Sequence, residues 1–140
     1  MSAMTPPRFL SRLLEATNDH DVDGIVACFS DDYVNVTPCH PARGFAGREQ
    51  VRRNWTAILQ GVPDLVAELG DFAEDGDRIW SEWEMRGTRR DGVPHLMRGI
   101  LVFTVRDGLA VRLRFLLEPV DEAPVDADGA VAGLTGGGVS

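Results

Sequence analysis

Up to Gly61, the apolar positions recur every three or four residues, which is the spacing of one face of an α-helix. Pro6 and Pro7 suit a first helical turn, Asp21 suits an N-cap, and Pro63 is a stop signal. The pattern predicts three helices, of which the second is short. Their apolar stripes are Phe9, Leu10, Leu13, Leu14 and Thr17, then Val22, Ile25, Val26 and Phe29, and finally Val51, Trp55, Ile58 and Leu59.

From Asp64 onward the pattern alternates with a period of two, as in β-strands that bury one face. Turn-forming sequences separate the alternating segments: EDGD at 74–77, and DG at 91–92 and 107–108. The predicted strands cover 65–72, 79–88, 95–105 and 109–118, and a short earlier strand covers 33–37, ended by Pro38. Helices first and an antiparallel meander afterwards are typical of an α+β domain.

The chain has 140 residues, enough for one domain with its own core. We expect that domain to cover 1–120, after a loose start over 1–5. Beyond Pro119 the sequence becomes acidic and glycine-rich, so we expect 121–140 to be a flexible C-terminal tail.

The net charge of −8 and the absence of a Lys/Arg block argue against nucleic acid and anionic membranes as partners. No apolar run reaches the ~18 residues of a membrane span, and no signal-peptide layout is present, so we expect a cytoplasmic protein. Cys28 and Cys39 lack metal-ligand spacing, and no glycine-rich phosphate loop opens a helix. We therefore expect neither a metal nor another cofactor. Cys28 fits a small core residue of the second helix.

Five segments in a fixed order carry a resemblance to a known superfamily. They are HDVDGIVACFSDD, GREQVRRNW, GDRIWSEWEMRGT, and MRGILVFTVRDG followed by RLRFLLEP. Together they resemble the nuclear transport factor 2-like superfamily, which includes ketosteroid isomerases, SnoaL-like polyketide cyclases and limonene-epoxide hydrolases. The resemblance implies a cone-shaped, cystatin-like α+β barrel: three N-terminal helices packed on a strongly curved antiparallel sheet around a hollow interior. It implies little about activity, because such a fold hosts many functions.

The positions that carry isomerase chemistry in that superfamily hold other residues here. The general base falls at Thr37, before Pro38, and the two oxyanion donors fall at Leu13 and Leu101. A steroid isomerase needs a carboxylate to move the proton and paired donors to stabilise the dienolate. Neither Thr37 nor the two leucines supplies these groups, so the sequence argues against that activity.

Strand alternation sorts the remaining residues into an inward and an outward face. An apolar hollow with a few polar groups is typical of a small-molecule site, and the alternative is a filled core. The resemblance favours a ligand cavity. The expected substrate-binding residues are Leu13, Thr37, Trp55, Ser81, Trp83, Met97, Leu101, Phe103, Leu113 and Phe115.

We interpret His40, His95 and Asn54 as candidate catalytic residues. Histidine is the side chain that exchanges protons near neutral pH, and an amide can position a substrate carbonyl. The alternative is a loop histidine, an end-of-strand histidine and a surface amide without a function. The epoxide-opening relatives use paired acids, some of them with an arginine, and Arg98 with Glu118 or Glu82 could imitate them. Alternation places these three on the outer face, where salt bridges are the better interpretation unless a bulge turns one inward.

On that outer face Trp80, Ile100, Val102 and Leu116 form a mixed apolar and charged patch. Exposed apolar patches mark interfaces, and similar proteins dimerise through this face, so we expect a homodimer.

Three functions remain open. The first is an enzyme that performs acid–base isomerisation, cyclisation or epoxide opening on a small hydrophobic metabolite of polyketide or terpenoid type. The alternative is a non-catalytic binding or accessory domain for a lipophilic ligand. A protein-interaction module is the weakest of the three, since nothing in the sequence specifies its surface.

Overall fold

Four helices and six strands make up the structure, a computed structural model that describes residues 5–137. The helices are α1 (Arg8–Asn18), α2 (Val22–Val26), α3 (Arg48–Gly61) and α4 (Ala127–Leu134), and a 3₁₀ turn covers Pro41–Arg43. The strands are β1 (Phe29–Val36), β2 (Phe45–Ala46), β3 (Val66–Asp75), β4 (Arg78–Thr88), β5 (Pro94–Arg106) and β6 (Leu109–Pro119). In this part of the chain no helix is long and apolar enough to cross a membrane.

All six strands belong to one curled, unclosed sheet with the order β2-β1-β6-β5-β4-β3. Strands β3 to β6 form the predicted antiparallel meander, and β1 joins it parallel to β6. Bulges bend the sheet at two places: between Leu69 and Phe72 in β3, and at Val111 in β6, opposite Thr104 and Val105 of β5. The predicted α+β fold, with the N-terminal helices against a curved sheet, is confirmed.

Helix α1 is fastened to the sheet at its C-terminal end. The Asn18 side-chain amide donates to the backbone oxygen of Ala67 over 3.0 Å, and its oxygen accepts from the Ala67 N–H over 2.7 Å. His20, with a positive φ of 55°, brings its Nε2 to 2.8 Å from the backbone oxygen of Leu65. These bonds hold α1 over β3 while its apolar stripe packs into the core. The buried residues of α1 are Phe9, Leu10, Leu13, Ala16 and Thr17.

The second helix is shorter than the apolar spacing predicts. It ends at Val26; Cys28 lies in the following turn, and Phe29 is the first residue of β1. The predictions that Phe29 and Cys28 belong to the helix are therefore wrong. The Ala110 N–H donates to the Cys28 backbone oxygen over 2.8 Å, so pairing with β6 replaces the next helical turn. Cys28 is buried, as a core residue should be, and burial raises the pKa of its thiol.

The segment after Pro119 contains a helix that the sequence pattern did not predict. Asp126 caps α4 by accepting from the Gly129 N–H over 2.9 Å, and apolar residues of this helix, such as Leu134, stay exposed. The flexibility proposed for 121–140 stays a prediction, and its last three residues lie outside the described part. The same holds for residues 1–4 of the expected loose start.

The convex face of the sheet carries the cross-strand salt bridges expected from alternation. Across strands, Glu84 accepts from Arg98 over 2.7 Å and Arg86 reaches Glu68 over 2.6 Å. Within β4, Glu84 also accepts from Arg86 over 3.0 Å. The hydrogen bond from Arg98 holds the pKa of Glu84 below its ordinary value. Trp80 stands on the same face and is 43% exposed.

Candidate functional site

Helices α1 and α3 and the concave face of the sheet enclose a cavity of about 490 Å³. That volume lies within the roughly 300–1,000 Å³ typical of small-molecule sites. Most of the lining is aliphatic or aromatic, and Phe103 at its inner end is fully buried. Lining residues that stay half exposed, such as Trp55, Ile58, Met97 and Phe115, lie on α3, the start of β5 and the late part of β6. The cavity therefore opens between α3 and that part of the sheet.

Nearly all the residues expected to bind substrate meet at this cavity. They are brought together by period-two alternation along β4, β5 and β6 and by the helical stripes of α1 and α3. Their contact with a ligand stays a prediction. The lining includes Leu13, Thr37, Trp55, Trp83, Met97, Leu101, Phe103, Leu113 and Phe115.

Ser81 is the expected substrate-binding residue that does not line the cavity. Its hydroxyl donates to the Leu101 backbone oxygen over 2.8 Å and accepts from the Trp83 indole Nε1 over 2.8 Å. Both bonds are buried, so Ser81 fixes the Trp83 ring in the wall and has no free donor for a ligand.

A buried row of three polar side chains lines the cavity along and just beyond β1. The Tyr33 hydroxyl donates to Asn35 Oδ1 over 3.1 Å, and Asn35 Nδ2 donates to Thr37 Oγ1 over 3.1 Å. Burial raises the pKa of the Tyr33 phenol, which keeps it protonated. Sequence reasoning selected Thr37 and missed Tyr33 and Asn35. Counting back from Thr37 in steps of two would have found both.

Asn54 supplies a polar group from the opposite wall, on α3. Its Oδ1 accepts from Gln50 Nε2 over 2.7 Å, one helical turn earlier, and Gln50 Oε1 accepts from Arg53 over 2.6 Å. Asn54 lines the cavity, whereas Gln50 and Arg53 do not. The amide is therefore held at the cavity by a hydrogen-bonded chain on the helix surface.

The two candidate histidines lie in different places. His95, at the start of β5, is half buried and lines the cavity. His40 does not line it: its Nε2 lies 3.1 Å from Glu118 Oε1 at the end of β6. The turn closed by the His40 N–H and the Thr37 backbone oxygen, 3.0 Å apart, directs the loop toward that strand end. The structure thus brings His95 and Asn54 together around the cavity and leaves His40 outside.

No Asp or Glu lines the cavity within residues 5–137, and Arg43 is the one lining arginine there. Glu82 and Arg98 lie on the convex face, Arg98 in its bond to Glu84, so they do not form a paired-acid site inside. The same described residues contain no group of three or more His, Cys, Asp or Glu side chains that could hold a metal ion.

A sequence model of one family matches most of the chain. The model describes the SnoaL-like domain and matches residues 10–113. The chain belongs to the SnoaL-like family. The resemblance to SnoaL-like proteins is thereby confirmed, and solved structures of a ketosteroid isomerase-like fold and of a nuclear transport factor 2-like protein share the fold of this chain.

Three solved structures illustrate the fold of this SnoaL-like chain. Wild-type IdmH, a putative polyketide cyclase from Streptomyces antibioticus, is 23% identical over 78% of this chain and 88% of that chain, with a TM-score of 0.67. A putative polyketide cyclase from Sinorhizobium meliloti is 24% identical over 84% and 100%, with a TM-score of 0.64.

The third is a hypothetical protein from Catenulispora acidiphila with a ketosteroid isomerase-like fold, solved in complex with trimethylamine. It is 14% identical over 79% of this chain and 85% of that chain, with a TM-score of 0.69. At such identities these likenesses show the fold alone. No curated protein matches the sequence significantly.

The SnoaL-like cavity offers a limited chemistry. His95 is its one imidazole within the described residues, and Thr37 and Asn54 are neutral hydrogen-bonding groups. Leu13 and Leu101, at the positions of the isomerase oxyanion donors, are buried in the lining. Proton transfer in this cavity would therefore depend on an imidazole, and orientation of a ligand on neutral donors.

Proposed function

We propose that this SnoaL-like protein is a small-molecule enzyme. Its reaction is an acid–base isomerisation, cyclisation or epoxide opening of a hydrophobic metabolite of polyketide or terpenoid type. The observation that carries this proposal is an open cavity of about 490 Å³ with apolar walls and one imidazole. The naming of two structural neighbours as putative polyketide cyclases supports the substrate class.

The lining residues suggest which side chains bury the substrate, which one transfers the proton and which hold substrate oxygens. The leucine, phenylalanine and tryptophan side chains take the apolar body of the substrate out of water. His95 takes a proton from a carbon or oxygen of the substrate and returns it, since imidazole is suited to this near neutral pH. Thr37 and Asn54 hold substrate oxygens in position. Each role requires the substrate to sit within hydrogen-bond reach of these groups.

The test is turnover across a panel of aromatic polyketides and terpenoid epoxides, with wild type and His95→Ala. Loss of the acid–base group is expected to lower turnover roughly 100-fold. His40→Ala is the contrasting variant, because its imidazole lies at Glu118 and outside the cavity lining; its turnover is expected to stay within about threefold of wild type. Wild-type turnover by a folded His95→Ala variant would overturn the assignment.

A non-catalytic lipophilic-ligand domain is the second candidate function. It is favoured by the lack of lining carboxylates within residues 5–137 and by non-ionisable residues at the isomerase positions Leu13, Thr37 and Leu101. This function predicts ligand binding that His95→Ala leaves unchanged and no turnover with any substrate of the panel. Calorimetry and turnover measured on the same two variants separate the two functions.

We also propose a homodimer through the convex face of the sheet. Trp80 is 43% exposed there. Val102, beside it in the strand register, is buried, and Ile100 and Leu116 in the next row are partly exposed. Covering such a patch removes apolar surface from water. Light scattering should give twice the chain mass of 15.3 kDa, and Trp80→Glu should shift the mass toward one chain. A wild-type species of one chain mass would contradict the proposal.

A further inference from the structure

We infer that the cavity is built to receive acceptor oxygens, because two hydrogen-bond chains on opposite walls both end in donors at its surface. The final donors are the Thr37 hydroxyl near the end of β1 and the Asn54 side-chain nitrogen on α3. The inference rests on the proposed function only in that both place a small molecule in this cavity. It adds the class of ligand: an apolar molecule that carries carbonyl, enolate or phenolate oxygens and no ammonium group.

The direction of the hydrogen-bonded chain on α3 is set by Arg53, its first donor. A guanidinium can only donate, so Arg53 must donate to Gln50 Oε1, 2.6 Å away. That fixes the Gln50 amide with its nitrogen toward Asn54 Oδ1, at 2.7 Å. The Asn54 oxygen is then occupied, and its nitrogen, which has no acceptor within residues 5–137, is the atom left for a ligand in the cavity.

The hydrogen-bonded chain along β1 also runs toward the cavity, from Tyr33 through Asn35 to Thr37. Tyr33 is 1% exposed, and within residues 5–137 its hydroxyl has Asn35 as its one hydrogen-bond partner, so its hydrogen is donated to Asn35 Oδ1 over 3.1 Å. Asn35 Nδ2 then donates to Thr37 Oγ1 over 3.1 Å. A hydroxyl that accepts one bond still has its hydrogen to donate. Among the described residues that hydrogen has no acceptor, and Thr37 lines the cavity. Successive bonds of one direction polarise each other and strengthen the last donor.

The charges around the cavity point to the same ligand class. The whole chain has a net charge of −8, yet no carboxylate lines the cavity within residues 5–137, and Arg43 supplies a fixed positive charge. Arg43 has no carboxylate within 4.0 Å in that part of the chain. An ammonium group would lose its water here without gaining a carboxylate partner, whereas a carbonyl or an anionic oxygen would find donors.

Three naphthalenes of similar size test the ligand class: 2-acetylnaphthalene, 2-ethylnaphthalene and 2-naphthylmethylammonium. Binding is followed by calorimetry and by quenching of tryptophan fluorescence, since Trp55 and Trp83 line the cavity. The ketone is expected to bind roughly tenfold more tightly than the hydrocarbon, and the ammonium more weakly than both. Equal binding of ketone and hydrocarbon would overturn this inference and leave the small-molecule cavity standing. Binding of none of the three up to its solubility would overturn the proposed function as well.

Gln50→Glu tests the hydrogen-bonded chain on α3 without altering a residue of the cavity lining. A carboxylate only accepts, so Asn54 must turn its nitrogen toward the substituted side chain and present its oxygen to the cavity. Ketone affinity should fall roughly fivefold while hydrocarbon affinity stays unchanged. Gln60→Glu is the matched control: the same exchange at an exposed position of α3, with no expected change. A folded Gln50→Glu variant with the ketone affinity of Gln60→Glu would overturn the directed chain on α3.

Thr37→Val and Thr37→Ser form the second matched pair. Valine keeps the shape of threonine and removes the donor, whereas serine keeps the donor. Valine should lower ketone affinity roughly fivefold and leave hydrocarbon affinity unchanged, and serine should restore the preference for the ketone. A loss shared by both ligands would show that Thr37 acts through packing alone, and it would overturn its role as a donor. Circular dichroism and thermal unfolding establish that each variant is folded.

Discussion

The two faces of one sheet are built from alternate residues of the same strands, yet they do different things. On β4, Trp83 is 3% exposed and lines the cavity, whereas Trp80, three residues earlier, is 43% exposed on the convex face. The convex face uses charged pairs such as Arg98 with Glu84. The concave face uses neutral donors such as Thr37 among apolar walls. Exposed ion pairs are screened and weak, so we expect the concave face, from which water is excluded, to contribute more to stability and binding.

Truncating the two tryptophans should show the largest difference between the two faces. Trp83→Ala removes a buried ring and its bond to Ser81, and it is expected to lower the free energy of unfolding by about 3–5 kcal/mol. Trp80→Ala removes a half-exposed ring of the same size, with an expected loss of about 0.5 kcal/mol. Urea unfolding at a concentration where both variants have the same oligomeric state measures the difference. Similar losses for the two variants would contradict the assignment of faces.

Tyr33→Phe should give an intermediate effect on the concave face. It keeps the ring and its edge-on contact with Phe29, whose centroid is 4.7 Å away, and removes the donor to Asn35. A buried acceptor left without its donor costs about 1–2 kcal/mol, so the free energy of unfolding should fall by that amount. Phe29→Leu is a comparison that perturbs the packing and keeps the polar chain. No change in the urea midpoint of Tyr33→Phe would show that this bond does not stabilise the fold.

Arg98→Ala on the convex face should give the smallest effect, and one that depends on pH and salt. The pKa of Glu84 is lowered in the folded state, chiefly by its hydrogen bond from Arg98. The pair therefore stabilises the protein above the ordinary pKa of glutamate, and this stabilisation is lost as the pH falls through the lowered value. The difference in melting temperature between Arg98→Ala and wild type should shrink in acid and in high salt. A difference independent of pH would contradict the role of Glu84.

Local periodicity predicted much of this architecture. The alternation of β4, β5 and β6 identified the inward row, including Met97, Leu101 and Phe103, because the period-two rule depends on the backbone alone. Elements whose ends are set by distant partners were predicted less well. Phe29 continues a helical spacing but pairs with Ala110 of β6, and no local signal announces that pairing.

The candidate site shows the same limit. His95 and Asn54 could be assigned to the cavity from their strand and helix. The position of His40 could not, because it depends on Glu118, which a parallel pairing brings near from the far end of the domain. Ser81 faces inward as alternation requires, yet its two hydrogen bonds to the wall keep it from the cavity. The direction of the hydrogen bonds through Gln50 and Asn35 depends on side-chain partners that the sequence pattern does not specify.

A crystal structure with 2-acetylnaphthalene tests most directly whether the concave face holds the ligand. We expect density for one naphthalene between α3 and β5, with the ketone oxygen within hydrogen-bond distance of Thr37 Oγ1 or Asn54 Nδ2. A ring system bound on the convex face beside Trp80, or a ketone oxygen turned away from both donors, would contradict it.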